Sequence, residues 1–328
     1  MAELRFDGRV AIVSGAGSGL GRAYALDLAK RGCAVVVNDY GGVSSGRTAG
    51  KAGTIDKAQA VVDEITAAGG TATANGASVA DFEAVAEMVA DTIERWGRID
   101  ICIANAGVHR DRRIEKLEEE DFDITFDVSV KGSFNMVRHA WPHMVQQGYG
   151  KILLTTSGSV FGQKSYWLYG SAKAAILGMV GNLRHEGKEH GIKVNAVLPG
   201  AATAMTMSDP TMTGEQREAM EARASPGLAA PAAVFLCHED CQDSGEAVFA
   251  EMGRFGRLAV LKGPASKVEK DASGDAAEPS AEWVQENWDQ ILGLQDGEKV
   301  TEGWLEMDGG LNGLERDAVA RPVPFGRL

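Results

Sequence analysis

The chain has 328 residues, 44% of them hydrophobic and 24% charged, with a formal net charge of −13. That length can bury a sizeable core as one large α/β domain. The acidic balance, with no basic cluster longer than Arg110-Asp111-Arg112-Arg113, excludes the electrostatic footprint of a nucleic-acid binder.

The opening residues lack the apolar core of a signal peptide, and no run reaches membrane-span length, so a cytoplasmic protein is expected. Of four cysteines, Cys33 and Cys102 fall beside or within apolar runs and read as small buried thiols. Cys237-His238-Glu239-Asp240-Cys241 has no second ligand pair at zinc spacing, so no metal is expected.

A strand over 9–14 runs into Gly15-Ala16-Gly17-Ser18-Gly19-Leu20-Gly21, followed by a helix over 21–31. Glycines permit a tight turn and close backbone approach, leaving helix-start amides at a strand end, where a pyrophosphate binds. Gly15, Ser18, Gly19, Leu20 and Gly21 are therefore candidate cofactor residues. The spacing departs from Gly-x-Gly-x-x-Gly, because Leu20 occupies the place of the last glycine.

A second strand, 34–38, ends at Asp39. A carboxylate there accepts both adenosine-ribose hydroxyls and repels a 2′-phosphate, favouring NAD over NADP; an ordinary strand-end aspartate is the other reading. Residues 41–53 form a Gly/Ser/Thr-rich loop, either a cover for the adenosine end or a surface excursion. Next come a helix over 55–68 stopped by Gly69-Gly70, a strand over 71–74, and a helix over 81–96 capped by Asp81. Strands over 99–104, 151–156, 193–198 and 247–251 alternate with helices over 131–146, 169–190 and 215–222. This order implies an α/β fold, a doubly wound parallel sheet of Rossmann-like type, as a single domain over 1–253. A C-terminal helical extension, 254–328, contains a linker at 262–279. Trp283, Val284, Trp288, Ile291 and Leu292 recur there on one helical face, suited to docking on the domain or on a subunit neighbour.

Tyr169 and Lys173 lie one helical turn apart on one face. An ammonium beside a phenol favours the phenolate and lowers the tyrosine pKa. Such a tyrosine can exchange a proton with an alcohol or ketone oxygen.

The glycine segment, Asn105-Ala106-Gly107, Ser157, Tyr169-x-x-x-Lys173 and Pro199-Gly200 follow one another at successive strand ends. In that order they resemble the short-chain dehydrogenase/reductase family over about residues 5–253. The resemblance implies a nicotinamide cofactor, NAD by Asp39, and a homodimer or homotetramer. It makes Tyr169 the general acid/base, Lys173 its activator and ribose ligand, and Ser157 the donor to the substrate oxygen. Ser157 stands one residue short of the commoner family spacing, so Ser159 is an alternative. Asn105 and Gly107 would line the cofactor groove, Val79 would contact the adenine, and Thr203 would hold the carboxamide. Where the family commonly has an asparagine anchoring a relay water, this chain has Ser129, whose hydroxyl can still bind water.

A narrower resemblance runs through Val35–Gly42, Gly107–Arg112, Leu236–Glu239 and Val284–Trp288. These are similar to the (3R)-hydroxyacyl-CoA dehydrogenase branch found in peroxisomal multifunctional enzymes, a branch with 17β-hydroxysteroid activity. The implied substrate is a bulky apolar secondary alcohol, either the CoA thioester or the steroid. Met205, Met207, Met212 and Met220 suit an adaptable lid or routine packing equally. Arg110, Arg112 and Arg113 are candidates for a CoA phosphate or a carboxylate, with a solvated surface face as the alternative. Two other functions stay open: a dehydrogenase of a sugar, polyol or small aromatic alcohol, and an NAD-binding sensor or scaffold.

Overall fold

Along the first strand, Ala11 and Val13 face one side of a sheet and Ile12 the other, and all three are fully buried. Apolar residues on both faces are what a sheet covered by helices on each side requires. The computed structural model describes residues 3–42, 54–110, 112–207, 213–262, 280–292 and 298–299. Two compact units divide between Leu258 and Ala259.

In the first unit the strands are β1 (Val10–Ser14), β2 (Ala34–Asn38), β3 (Thr71–Asn75), β4 (Ile101–Ala104), β5 (Gly150–Thr155), β6 (Ile192–Gly200), β7 (Ala247–Glu251) and β8 (Arg254–Leu258). They form one eight-stranded sheet in the order β3-β2-β1-β4-β5-β6-β7-β8, parallel up to β7 with β8 antiparallel. The strand order reverses between β1 and β4, and such a switch point opens a crevice at the carboxyl ends of the strands.

The interleaved helices are α1 (Gly19–Lys30), α2 (Asp56–Ala67), α3 (Phe82–Trp96), α4 (Glu119–Phe126), α5 (Gly132–Gln147), α6 (Trp167–Lys188), α7 (Ala204–Met207), α8 (Gly214–Arg223) and α9 (Ala230–Leu236). Residues of α1, α2 and α9 pack with one sheet face, and those of α3, α5 and α6 with the other. Asp81 caps α3 as expected, accepting from the Ala84 amide at 3.1 Å. Between α4 and α5 the chain stays helical through one π turn, Asp127–Lys131. The hairpin β7–β8 turns on Met252 and Gly253, at φ +48° and +76°, the positive pair that a two-residue hairpin requires.

Opposite the crevice, Asp100 is fully buried. Its carboxylate accepts from the Val10 amide at 3.0 Å, from Arg9 at 3.0 Å, and from Arg98 at 2.7 and 2.6 Å.

In the second unit, β9 (Leu261–Lys262) pairs antiparallel with β10 (Glu298–Lys299). The apolar stripe expected there forms two short helices, α10 (Ala281–Glu286) and α11 (Trp288–Ile291), broken at Asn287. Ser280 caps α10 through the Trp283 amide at 3.1 Å. Residues 43–53 of the expected loop, 263–279 of the linker, and Met212 lie outside the described residues.

Candidate active site

The glycine loop sits at the switch point, between the ends of β1 and β4. Gly15 and Gly19 have φ +62° and +55°, and α1 starts at Gly19, so Leu20 and Gly21 fall in its first turn. Ser18 stands at the cap position in extended backbone and makes no side-chain cap bond. A β-carbon on Gly21 would overlap the Gly15 carbonyl. The loop folds this tightly only because that position is bare.

Asn105 laces the two strand ends together. Its Nδ2 donates to the Ser14 and Gly15 carbonyls at 2.9 and 3.3 Å, while its own amide donates to Ser14 Oγ at 3.0 Å. Asp39 reaches the same loop: Oδ2 accepts from the Gly17 amide at 2.9 Å and Oδ1 from the Gly41 amide at 2.7 Å. Thr203 comes in from the far side of the switch point, its Cγ2 standing 3.3 Å from where a Gly19 β-carbon would be. Val79 is 6% exposed and packed in the core, with its carbonyl accepting from Asn135 at 2.8 Å. It therefore offers an adenine only a narrow strip.

Lys173 on α6 is buried, and its Nζ donates to the Thr155 carbonyl at 2.8 Å. That nitrogen is 5.6 Å from the centre of the Tyr169 ring. It also lies 3.5 Å from the position of a Gly107 β-carbon, and Ser129 Oγ lies 3.7 Å from the same point. Gly107, Ser129, Tyr169 and Lys173 are thus brought together. Ser129 sits in the π turn, fully buried, with no hydrogen-bond partner for its hydroxyl among the described residues. A π turn inside an α-helix is a frequent mark of a functional site.

Burial pushes the Lys173 pKa down from 10.5 to about 8, so the amine is mostly protonated at neutral pH and loses its charge not far above it.

Ser157 caps a 3-10 turn, Gly158–Phe161, its Oγ accepting from the Ser159 amide at 3.2 Å. That turn is seated on α6 beside Tyr169: a β-carbon on Gly170 would stand 2.8 Å from the Ser159 carbonyl oxygen. Ser157 is half-buried and Ser159 buried, so Ser157 is the better placed of the two to meet a substrate.

Arg110 and Arg112 form neither a solvated face nor an open phosphate site. Arg110 is buried and pairs with Asp121 at 2.9 Å and Glu120 at 3.2 Å. Arg112 pairs with Glu118 at 3.2 Å and Asp121 at 3.0 Å. Burial works to raise the Asp121 carboxyl, but the Glu118 amide and the two guanidinium groups outweigh it and hold it below the usual range. Arg113, paired with Glu115 at 2.7 Å, alone is largely exposed.

His109 and Tyr166 are two further side chains at the site, to which the sequence alone assigns no role. Both rings pack against one another, and His109 also packs against Tyr169. The spacing of Tyr166, about one turn before Tyr169, is the signal in the sequence that points to it.

The four cysteines are all buried and free, and burial raises each thiol. His238 is spent on the Arg5 carbonyl and the Asp240 amide, both at 3.1 Å. Among the described residues no helix is long and apolar enough to cross a membrane.

The short chain dehydrogenase family matches residues 9–214. The chain belongs to the short-chain dehydrogenases. It has the Rossmann-like fold of that family. It is 39% identical to peroxisomal multifunctional enzyme type 2 of Mus musculus over 91% of this chain and 38% of that protein. The structure of the full-length peroxisomal multifunctional enzyme type 2 from Drosophila melanogaster superposes with TM-score 0.74 at 30% identity, covering 93% of this chain and 49% of that one. A 7α-hydroxysteroid dehydrogenase complexed with NADH and 7-oxo glycochenodeoxycholic acid gives TM-score 0.68 at 29% identity, over 77% of this chain and 98% of that one. The short-chain dehydrogenase described here spans less than half the length of either multifunctional enzyme. Both are peroxisomal by name, whereas the expectation from the sequence is the cytoplasm.

Proposed function

We propose that this short-chain dehydrogenase uses NAD to interconvert a bulky apolar secondary alcohol and its ketone, foremost a (3R)-3-hydroxyacyl-CoA or a 17β-hydroxysteroid. The observation that carries the reading is the placement of Tyr169, Lys173 and Gly107 in one cluster beside the glycine loop.

The residues present fit a dinucleotide. Gly21 leaves the loop without the side chain that would close it, α1 starts inside the loop at Gly19, and the Asp39 carboxylate stands at the second strand end. Gly15 to Gly21 would hold the pyrophosphate, Asp39 the adenosine ribose, and Lys173 the nicotinamide ribose. When bound, the nicotinamide supplies the hydride acceptor. Tyr169 takes the hydroxyl proton of the alcohol, Ser157 donates to the same oxygen as its charge changes, and Lys173 favours the phenolate while protonated. Ser129 and Lys173 border one small space, where a water held by the Ser129 hydroxyl would carry the proton outward. The protein works as a homodimer or homotetramer, in keeping with its family.

NAD is favoured over NADP by Asp39, and a steroid-sized substrate by the likeness to the 7α-hydroxysteroid dehydrogenase. The Tyr169→Phe variant tests the mechanism. It is expected to bind NADH as the parent does while losing turnover by about a thousandfold or more, within the range set by removal of a catalytic acid/base. Turnover retained in that variant removes Tyr169 from the chemistry.

A further inference from the structure

We propose that His109 is a positioning residue for Tyr169, closing a three-ring clamp that aims the catalytic phenol. The proposal rests on the mechanism above, in which that phenol exchanges the proton.

The His109 ring centre lies 4.7 Å from that of Tyr169 with the planes at 59°. It lies 4.4 Å from Tyr166 with the planes at 46°. Tyr166 in turn stands edge-on to Tyr169, at 6.4 Å and 78°. Each ring therefore touches or borders the other two, at separations where tilted and edge-to-face aromatic pairs are favourable. Lys173 approaches Tyr169 as well, at 5.6 Å from the ring centre to Nζ. Tyr169 is thereby bordered by an amine, an imidazole and a second phenol.

His109 is 3% exposed, so its contacts are made inside the protein. The segment carrying it is anchored at both ends. Asn105 is bonded to Ser14 and Gly15, and Arg110 is paired with Asp121. Tyr166 is delivered by a different device. Ser165 has φ +71°, a left-handed conformation that a non-glycine residue rarely adopts and that clusters at functional sites. Tyr166 caps the helix that carries Tyr169, so the ring is met by a neighbour from its own helix and by His109 from a separately anchored segment.

What such a clamp does follows from the reaction. A proton moves only between atoms held within hydrogen-bond reach, and a misplacement of about 1 Å costs on the order of a hundredfold. The ring of Tyr169 can rotate about its side-chain bonds unless neighbours forbid it. Lys173 supplies charge but, as a single amine, little steric restraint. His109 and Tyr166 supply the restraint.

The full chain in three variants decides this. His109→Ala removes the ring, His109→Phe keeps a ring without nitrogen, and His109→Asn keeps polarity without a ring. Turnover is read with NAD and (3R)-hydroxybutyryl-CoA or oestradiol, NADH affinity by fluorescence, and the Tyr169 ring position by crystallography. Expected for His109→Ala and His109→Asn is a fall in kcat of about 10- to 100-fold, with NADH affinity within about twofold and the Tyr169 ring displaced. His109→Phe should recover most of kcat and return the ring. If His109→Asn matches the parent, or His109→Phe is as impaired as His109→Ala, the imidazole acts through its nitrogens and the clamp is wrong. An unmoved Tyr169 ring in His109→Ala overturns it too. If the parent oxidises neither probe, the substrate reading fails, and the ring positions still decide the clamp.

Discussion

Lys173 donates to the Thr155 carbonyl at 2.8 Å from a position only 2% exposed. Burial lowers its pKa from 10.5 to about 8. The unfolded chain therefore holds this proton more tightly, and the penalty on the fold is full below pH 8. It shrinks as pH rises from there to 10.5. A shift of that size corresponds to roughly 3 kcal/mol.

The Lys173→Met variant removes that penalty but strands the Thr155 carbonyl, at about 1–3 kcal/mol. It should be at least as stable as the parent at pH 7 while losing turnover. Its advantage should shrink between pH 8 and pH 10.5. Urea midpoints of both proteins across that window check this, and a gap independent of pH would contradict the assigned burial of charge.

Gly21 faces backbone, which cannot move aside as a flexible side chain does. Its substitution by alanine places a β-carbon on the Gly15 carbonyl and 2.7 Å from Asn105 Nδ2. The expected loss is about 1–3 kcal/mol from overpacking, together with at least tenfold weaker NADH binding. Thermal melting and fluorescence titration read the two effects separately, and an unchanged melting temperature would count against the loop geometry.

Asp39 serves two amides at once, so its loss disturbs the loop as well as the ribose. Hydrogen bonds to a charged acceptor contribute about 1.5–3 kcal/mol each. The Asp39→Ala variant should raise the KM for NAD by about tenfold or more, and should narrow the preference for NAD over NADP. Measuring kcat/KM with both cofactors tests it; a preserved preference would move the selectivity elsewhere.

Asp121 is fully withdrawn from solvent beneath Arg110 and Arg112. Its depressed pKa means the carboxylate stabilises the fold above its ordinary 3.8 and loses that contribution as pH falls through the lower folded value. Removing one partner of a buried pair costs on the order of 3 kcal/mol. The Asp121→Asn variant should therefore be clearly less stable at pH 7, with the deficit closing in acid. Denaturation curves at both extremes decide it.

Much of the fold is legible in the amino-acid sequence. Val35-Val36-Val37 and Ile101-Cys102-Ile103 read as strands because a sheet covered on both faces needs continuous apolar runs. Asp81 announces α3 through its cap. Helix α4 is hidden, because Glu118-Glu119-Glu120-Asp121 looks like a solvated acidic run. Asp121 is nonetheless buried, by arginines whose pairing only the fold supplies. For the same reason Arg110 reads as a surface or ligand group. Strand β8 is equally hard to see, since Arg254-Phe255-Gly256-Arg257-Leu258 lacks a clean apolar alternation. At the site, Tyr169 and Lys173 are visible as one local motif. The approach of His109 is not, since it joins two segments distant in sequence.

Asp100 gives the molecule a mechanical asymmetry. At one pole of β1 and β4 a single carboxylate gathers donors from Arg9, Val10 and Arg98. At the opposite pole the same strands run out into glycines, laced to each other by the neutral hydrogen bonds of Asn105 and Ser14. Thermal opening should begin where the ties are weaker, and neutral bonds are weaker than those to a charged group. Amide exchange at Val10 should then be among the slowest in the protein, with protection fading toward Gly15. The catalytic end can breathe to admit and release its ligands while the root of the sheet stays fixed.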